Sequence, residues 1–112
     1  MRTAAKALTS ARTTAIINCL RAFGHFAHRQ NNHGWQNGKG QWINPHGVRG
    51  VPDITGCASN GRYLGVEVKT GNDKLSPFQE AYKAEVEKRG GYYLVAGTVD
   101  EIVDWQNREF EK

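Results

Sequence analysis

The run Tyr63-Leu64-Gly65-Val66-Glu67-Val68-Lys69 leaves little choice of conformation. A β-strand turns successive side chains to opposite faces, so Leu64, Val66 and Val68 face one way while Glu67 and Lys69 face the other. The apolar set demands a core behind it. The opposite face then displays a carboxylate and an ammonium side by side.

The segment before it, residues 51–57, reads as a second strand, and Ser59-Asn60-Gly61 supplies the residues of a hairpin turn. Asp53 lies on that strand and can join Glu67 and Lys69, but only in one register. A two-residue Asn60-Gly61 turn would set Asp53 opposite Val68 and send its carboxylate to the wrong face. A shared site therefore requires an odd loop, such as Ser59-Asn60-Gly61 with Gly61 left-handed, or a bulge.

The remaining elements follow from periodicity and caps. Thr13, Ile16, Ile17, Leu20 and Phe23 recur at helical spacing, giving a first helix over residues 10–23 that ends at Gly24, with residues 1–8 as a frayed tail. Residues 25–31 form a strand anchored by Phe26. Ser76-Pro77-Phe78-Gln79 carries Ser at an N-cap, Pro at N1 and Gln at N3, a capping box opening a second helix with Phe78, Ala81, Tyr82 and Val86 as its buried stripe. Tyr92–Ala96 is a short apolar strand, and Thr98 with Glu101 caps a last helix to about Phe110. The expected fold is an α/β sandwich of order αβββαβ plus a C-terminal helix, a small mixed sheet flanked by helices. At 112 residues it is a single domain.

Charge is distributed unevenly. Residues 1–52 hold seven basic side chains, all four histidines and no acid, and Asp53 is the first carboxylate. Such a half-chain reads as a surface for a polyanion, in the first place nucleic acid, with a transit peptide as the bland alternative. No apolar run approaches the roughly 20 residues that span a bilayer. Cys19 and Cys57 fit no metal or disulfide spacing and are expected to be buried, reduced thiols of a cytoplasmic protein.

Between the first two strands, residues 32–50 read as a long loop with five glycines and two tryptophans, and loops of that length are more often functional than idle. Arg29 just before it, and Lys39 and Arg49 within it, are candidate phosphate contacts. Trp35 and Trp42 can stack on unpaired bases or else pack over the sheet edge. His25, His28, His33 and His46 fit no zinc pattern and are expected at the surface, as polar groups or phosphate contacts.

Two carboxylates converging on one spot repel unless a cation lies between them, and hard oxygen ligands suit Mg²⁺ or Mn²⁺. On spacing alone, a salt-bridged Glu67–Lys69 pair on a surface strand is the competing reading.

The fragments GVPDI, YLGVEVKTG and LSPFQ together resemble the PD-(D/E)xK nuclease superfamily and, more narrowly, the virus-type replication-repair nuclease (VRR-NUC) family. The resemblance runs from about Thr13 to Ala96. It implies the restriction-endonuclease-like core, Asp53 and Glu67 as metal ligands with the carbonyl of Val68 as a third, Lys69 assisting the attacking water, and Gln79 beside the site. Gln79 is also the N3 partner of Ser76, and the two roles compete for one amide. Members of the superfamily often carry a further acid on the first helix, and this chain has none before Asp53.

The function expected is a Mg²⁺- or Mn²⁺-dependent DNA endonuclease. Its substrate is branched or structured DNA, such as the four-way junctions of repair and recombination, with no membrane and no small-molecule cofactor involved. The alternatives are a catalytically idle nucleic-acid-binding protein on the same fold and a sequence-reading, restriction-like enzyme. A homodimer is expected as well, because Ile102, Val103, Trp105 and Phe110 on the last helix exceed what one small sheet can cover.

Overall fold

The computed structural model describes residues 2–30, 35–43 and 47–111, with side chains from Leu8 onward except those of Trp35 and Trp42. Helix α1 (Arg2–Ala22) starts well before Ser10, so most of the expected frayed tail is helical. Its Ile16, Ile17 and Leu20 are buried at the predicted spacing. Gly24, at φ +92°, takes the left-handed geometry that ends the helix.

Four strands form the main sheet in the order β1-β4-β5-β6: β1 (Phe26–Arg29), β4 (Ile54–Cys57), β5 (Tyr63–Val68) and β6 (Tyr92–Ala96). The first three run antiparallel and β6 lies parallel to β5. A parallel neighbour needs a crossover, which α2 (Pro77–Lys88) supplies before β6, and α3 (Val99–Phe110) follows. The order αβββαβα is the predicted one.

Leu64, Val66 and Val68 point to the core with Ile54, Ala27 and Ala96, and there meet Ile16, Leu20, Ile102 and Trp105 from α1 and α3. Helix α2 lies over the opposite face, where Tyr82 packs against the rings of Tyr63 and Tyr93. The sheet is thus the middle of three layers, and α2 reaches only its β5–β6 half.

Several expectations are corrected. Phe26 does not anchor β1: it is 65% exposed, and Ala27, fully buried, does the packing. Antiparallel pairing of Ala27 with Gly56 puts Ala27 on the core face and its neighbours on the open one. Cys57, opposite Phe26, is accordingly exposed, and Cys19 is half-buried with its thiol pushed upward by burial.

Residues 32–50 are not all loop. They contain a separate two-stranded ribbon, β2 (Trp35–Gln36) and β3 (Trp42–Ile43), pairing Trp35 with Ile43 and Gln36 with Trp42. Asn37 organises its turn by accepting the amides of Lys39 and Gln41 on Oδ1.

Helix α3 also disposes of its own apolar surface. Ile102 and Trp105 are buried, Val103 and Phe110 are half-buried, and Phe110 packs against the core, so the surplus invoked for a dimer does not exist on this helix. It is absorbed because α3 packs on α1 as well as on β6.

His25 is buried, not a surface group. Its Nδ1 accepts from the Ser59 amide at 2.9 Å, its Nε2 donates to Gln106 Oε1 at 2.7 Å, and its ring lies 5.3 Å from that of Trp105. It clamps the hairpin tip to α3. His33 and His46 lie outside the described residues. No helix among the described residues is long and apolar enough to cross a membrane.

Candidate active site

The hairpin register decides which side chains meet. Strand β4 pairs with β5 as Ile54–Val66, Thr55–Gly65, Gly56–Leu64 and Cys57–Tyr63. Beyond the strands the Ala58 amide donates to Arg62 O at 2.8 Å, leaving Ser59, Asn60 and Gly61 as a three-residue loop with Gly61 at φ +89°. This is the odd turn that a shared site requires. Carried the other way, the same register brings Asp53 opposite Glu67 on one face.

Asp53 lies just outside β4, yet its backbone stays in the sheet: its carbonyl accepts the Gln30 amide at 2.7 Å. Its Oδ2 accepts the Val68 amide at 2.9 Å, which fixes the carboxylate against the end of β5. Glu67 is only 6% exposed. Burial, then the charge of Asp53, push its carboxyl up to about 7, and the Lys69 ammonium opposes them only partly. Lys69 Nζ lies 3.9 Å from Glu67 Oε2, on the more open side.

Gln79 resolves its expected competition by using both ends of its amide. Oε1 accepts the Ser76 amide at 2.8 Å and completes the capping box, while Nε2 donates to Glu67 Oε2 at 3.0 Å. The first turn of α2 is thereby bonded to the acid it overhangs. Gly50, at φ +85°, closes the approach from the other side. A Cβ there would stand 2.2 Å from Phe78 O, so only glycine lets the segment leading to Asp53 press against the start of α2.

Asp53, Glu67, Val68, Lys69 and Gln79 therefore come together as the sequence predicts. Among the described residues no group of three or more His, Cys, Asp or Glu forms, so these two acids stand without a third such side chain. Asp73 and Lys74 are exposed, as solvated turn residues are.

The candidate DNA contacts scatter. Arg29 is tied to α1 through Thr14 Oγ1 at 2.8 Å and Ser10 O at 3.2 Å, so it braces the edge strand. Lys39 projects at the turn of the β2–β3 ribbon, on which Trp35 and Trp42 also lie. Arg49 stacks on the ring of Phe78, 4.8 Å from its centroid, at a groove of about 940 Å³ that Arg62, Tyr63 and Arg89 also line. His28 is half-buried, its ring 5.4 Å from that of exposed Phe26. Both belong to the part of the sheet that α2 leaves uncovered.

Two neighbours of the site escaped the sequence reading. Gln30 continues the pairing of β1 alongside Asp53 and accepts Thr55 Oγ1 at 2.8 Å. Tyr93, buried on β6, is one pair away from Glu67 on the same face. Alternation from Val95 would have placed Tyr93 toward α2. Nothing comparable in the sequence distinguishes Gln30.

The fold has a known counterpart. A solved structure described as a VRR_NUC domain superposes with a TM-score of 0.62 at 21% identity, covering 92% of this chain and 97% of that one. No curated protein matches the sequence. The family model of the VRR-NUC domain matches residues 5–100. The chain accordingly belongs to the VRR-NUC family, a nuclease-type family.

Proposed function

We propose that this protein is a Mg²⁺- or Mn²⁺-dependent DNA endonuclease that hydrolyses phosphodiesters at the site formed by Asp53, Glu67 and Lys69. The observation that carries the reading is the carboxyl pair itself. Glu67 is buried against Asp53 with its carboxyl pushed up to about 7, so the pair needs a proton or a cation between its oxygens. Two hard oxygen donors suit a dication better than a proton at neutral pH. Asp53 and Glu67 would hold it, with the carbonyl of Val68 as a third donor, and the shortage of further acids favours a single ion.

A dication bound there would polarise a phosphate and lower the pKa of a water molecule. The chain's own groups prepare the place. The Val68 amide and the Gln79 side chain fix the two carboxylates, which removes rotamer freedom before substrate arrives. Lys69, on the open side, offers a point charge to a phosphate oxygen or to the attacking water. The sheet surface beyond α2 leaves room for a backbone to approach.

Branched or structured DNA, such as a four-way junction, is the substrate we assign, since the unopposed positive charge of residues 1–52 suits phosphate backbone, whose contacts carry no sequence information. Symmetric cutting of a junction needs two sites, which a two-fold homodimer would bring. Light scattering at micromolar concentration tests that assembly: a one-chain mass with undiminished junction cleavage would end it.

The catalytic reading is tested on a panel of duplex, single strand, flap, nick and junction with Mg²⁺ and Mn²⁺. Asp53→Ala, Glu67→Ala and Lys69→Ala should each lower cleavage by orders of magnitude while DNA binding survives. The scarcity of acids at the site favours one competing reading, an idle DNA-binding protein on this fold. Binding without metal-dependent cleavage by the pure protein would establish that reading instead.

A further inference from the structure

Between the sheet and α2 lie three tyrosines, and their hydroxyls are not treated alike. Tyr63 and Tyr82 pair with each other, Oη to Oη, at 2.8 Å. Tyr93, whose ring is 6.1 Å from that of Tyr82, is only 4% exposed. Its Oη is the buried side-chain polar atom left without a hydrogen-bond partner among the described residues. Burying a hydroxyl unsatisfied is costly, and proteins rarely do it without a use for the group.

The position of Tyr93 points to that use. Parallel pairing sets Tyr93 beside Gly65 and Val95 beside Glu67, so Tyr93 shares the face of Glu67 one pair back along the strand. Gly65 has no side chain to meet the phenol, and space for one is closed by Pro52 and Tyr63. After burial, the influences that hold the phenol protonated are the charges of Glu67 and then Asp53. The register thus holds an O–H donor on the face that carries both carboxylates, hydrogen-bonded to neither.

We propose that Tyr93 is a positioning residue of this site, its hydroxyl donating a hydrogen bond to the hydration shell of the divalent cation between Asp53 and Glu67. The proposal rests on the metal-dependent reading above. It would give the orphaned donor an acceptor that no described residue supplies. A purely structural tyrosine would fill the same space with its ring alone.

The test replaces only the hydroxyl. Tyr93→Phe keeps the ring, and Tyr63→Phe is the control, since it removes a hydroxyl that has a partner. Calorimetric titration with Mg²⁺ and Mn²⁺, in the absence of DNA, reads the dissociation constant. The melting temperature in EDTA reads the metal-free fold. Tyr93→Phe should bind the ions about 10-fold more weakly, the lower end for loss of an outer partner of a metal site. It should also melt no lower than wild type without metal, because an unsatisfied donor has gone. Tyr63→Phe should do the reverse, melting lower with its metal affinity unchanged.

If wild type binds neither ion, the metal reading fails and this role falls with it. If wild type binds and Tyr93→Phe binds equally well, only the role of Tyr93 is overturned. A metal-free melting point lowered in Tyr93→Phe would show that the hydroxyl has a partner within the protein, and would also overturn it.

Discussion

Glu67 concentrates the conflict on which this site depends. Its carboxyl is buried beside Asp53, so in the metal-free protein the folded state holds its proton up to about pH 7, whereas the unfolded chain releases it near 4.5. Between those values the folded state binds the extra proton. The contribution to stability is therefore complete below about 4.5, is lost as pH rises through 7, and changes little beyond. The loss should amount to about 3 kcal/mol, at roughly 1.4 kcal/mol for each unit of the shift. Melting curves in EDTA for wild type and Glu67→Gln across pH 4–9 check this, since the difference between them isolates the one group. Wild type should lose ground to the variant over that window. A difference that is flat, or that grows in favour of wild type with rising pH, would show that Glu67 is ionised without cost.

At the scale of elements, α2 does two jobs through one side chain. Ser76→Ala removes the Oγ that accepts the Gln79 amide and should cost about 1 kcal/mol in urea unfolding, with cleavage within a few-fold of wild type. Gln79→Ala should cost a similar amount and also slow single-turnover cleavage at least 10-fold, because Glu67 loses its donor. Equal losses of cleavage in both would mean that the cap alone matters. The cap, the helix it starts and the strand that carries Glu67 were all legible in the sequence, because each is written in adjacent residues: Ser76 to Gln79 in one turn, Leu64 to Lys69 in one alternation. What was illegible depended on partners far along the chain. Phe26 looked like an anchor until pairing with Cys57 put it on the open face, and His25 looked superficial because Gln106 lies 81 residues away. The ribbon at Trp35 and Trp42 hid in a glycine-rich stretch because its two strands are only two residues each.

The whole molecule is polarised, with every base of the first 52 residues unopposed by any acid within them. Association with DNA should weaken steeply with salt, through counterion release. Neutralising Lys39 and Arg49 together should lower affinity and flatten the logarithmic salt slope by about 1–2, at roughly 0.9 for each phosphate no longer neutralised. Fluorescence anisotropy over 50–300 mM salt, roughly the range in which such slopes are read, checks it. An unchanged slope would move the DNA surface elsewhere. Arg29 is the poorer choice for that experiment, since it braces α1. The three-residue turn at Ser59-Asn60-Gly61 also has a history written into it. Ser59 is free to drift, for the turn lies at the far end of the hairpin from Asp53, while Gly61 is held by its left-handed φ of +89° and Asn60 by its bonds to Tyr92 and the Arg62 amide. The parity of the turn is fixed as well: adding or losing one residue would turn Asp53 to the core face while every candidate catalytic side chain remained in the sequence. Lineages that keep the chemistry should therefore lengthen or shorten this loop by two residues at a time, or offset a single change with a bulge. The count of residues is inherited there, together with the left-handed glycine, and the identity of Ser59 need not be.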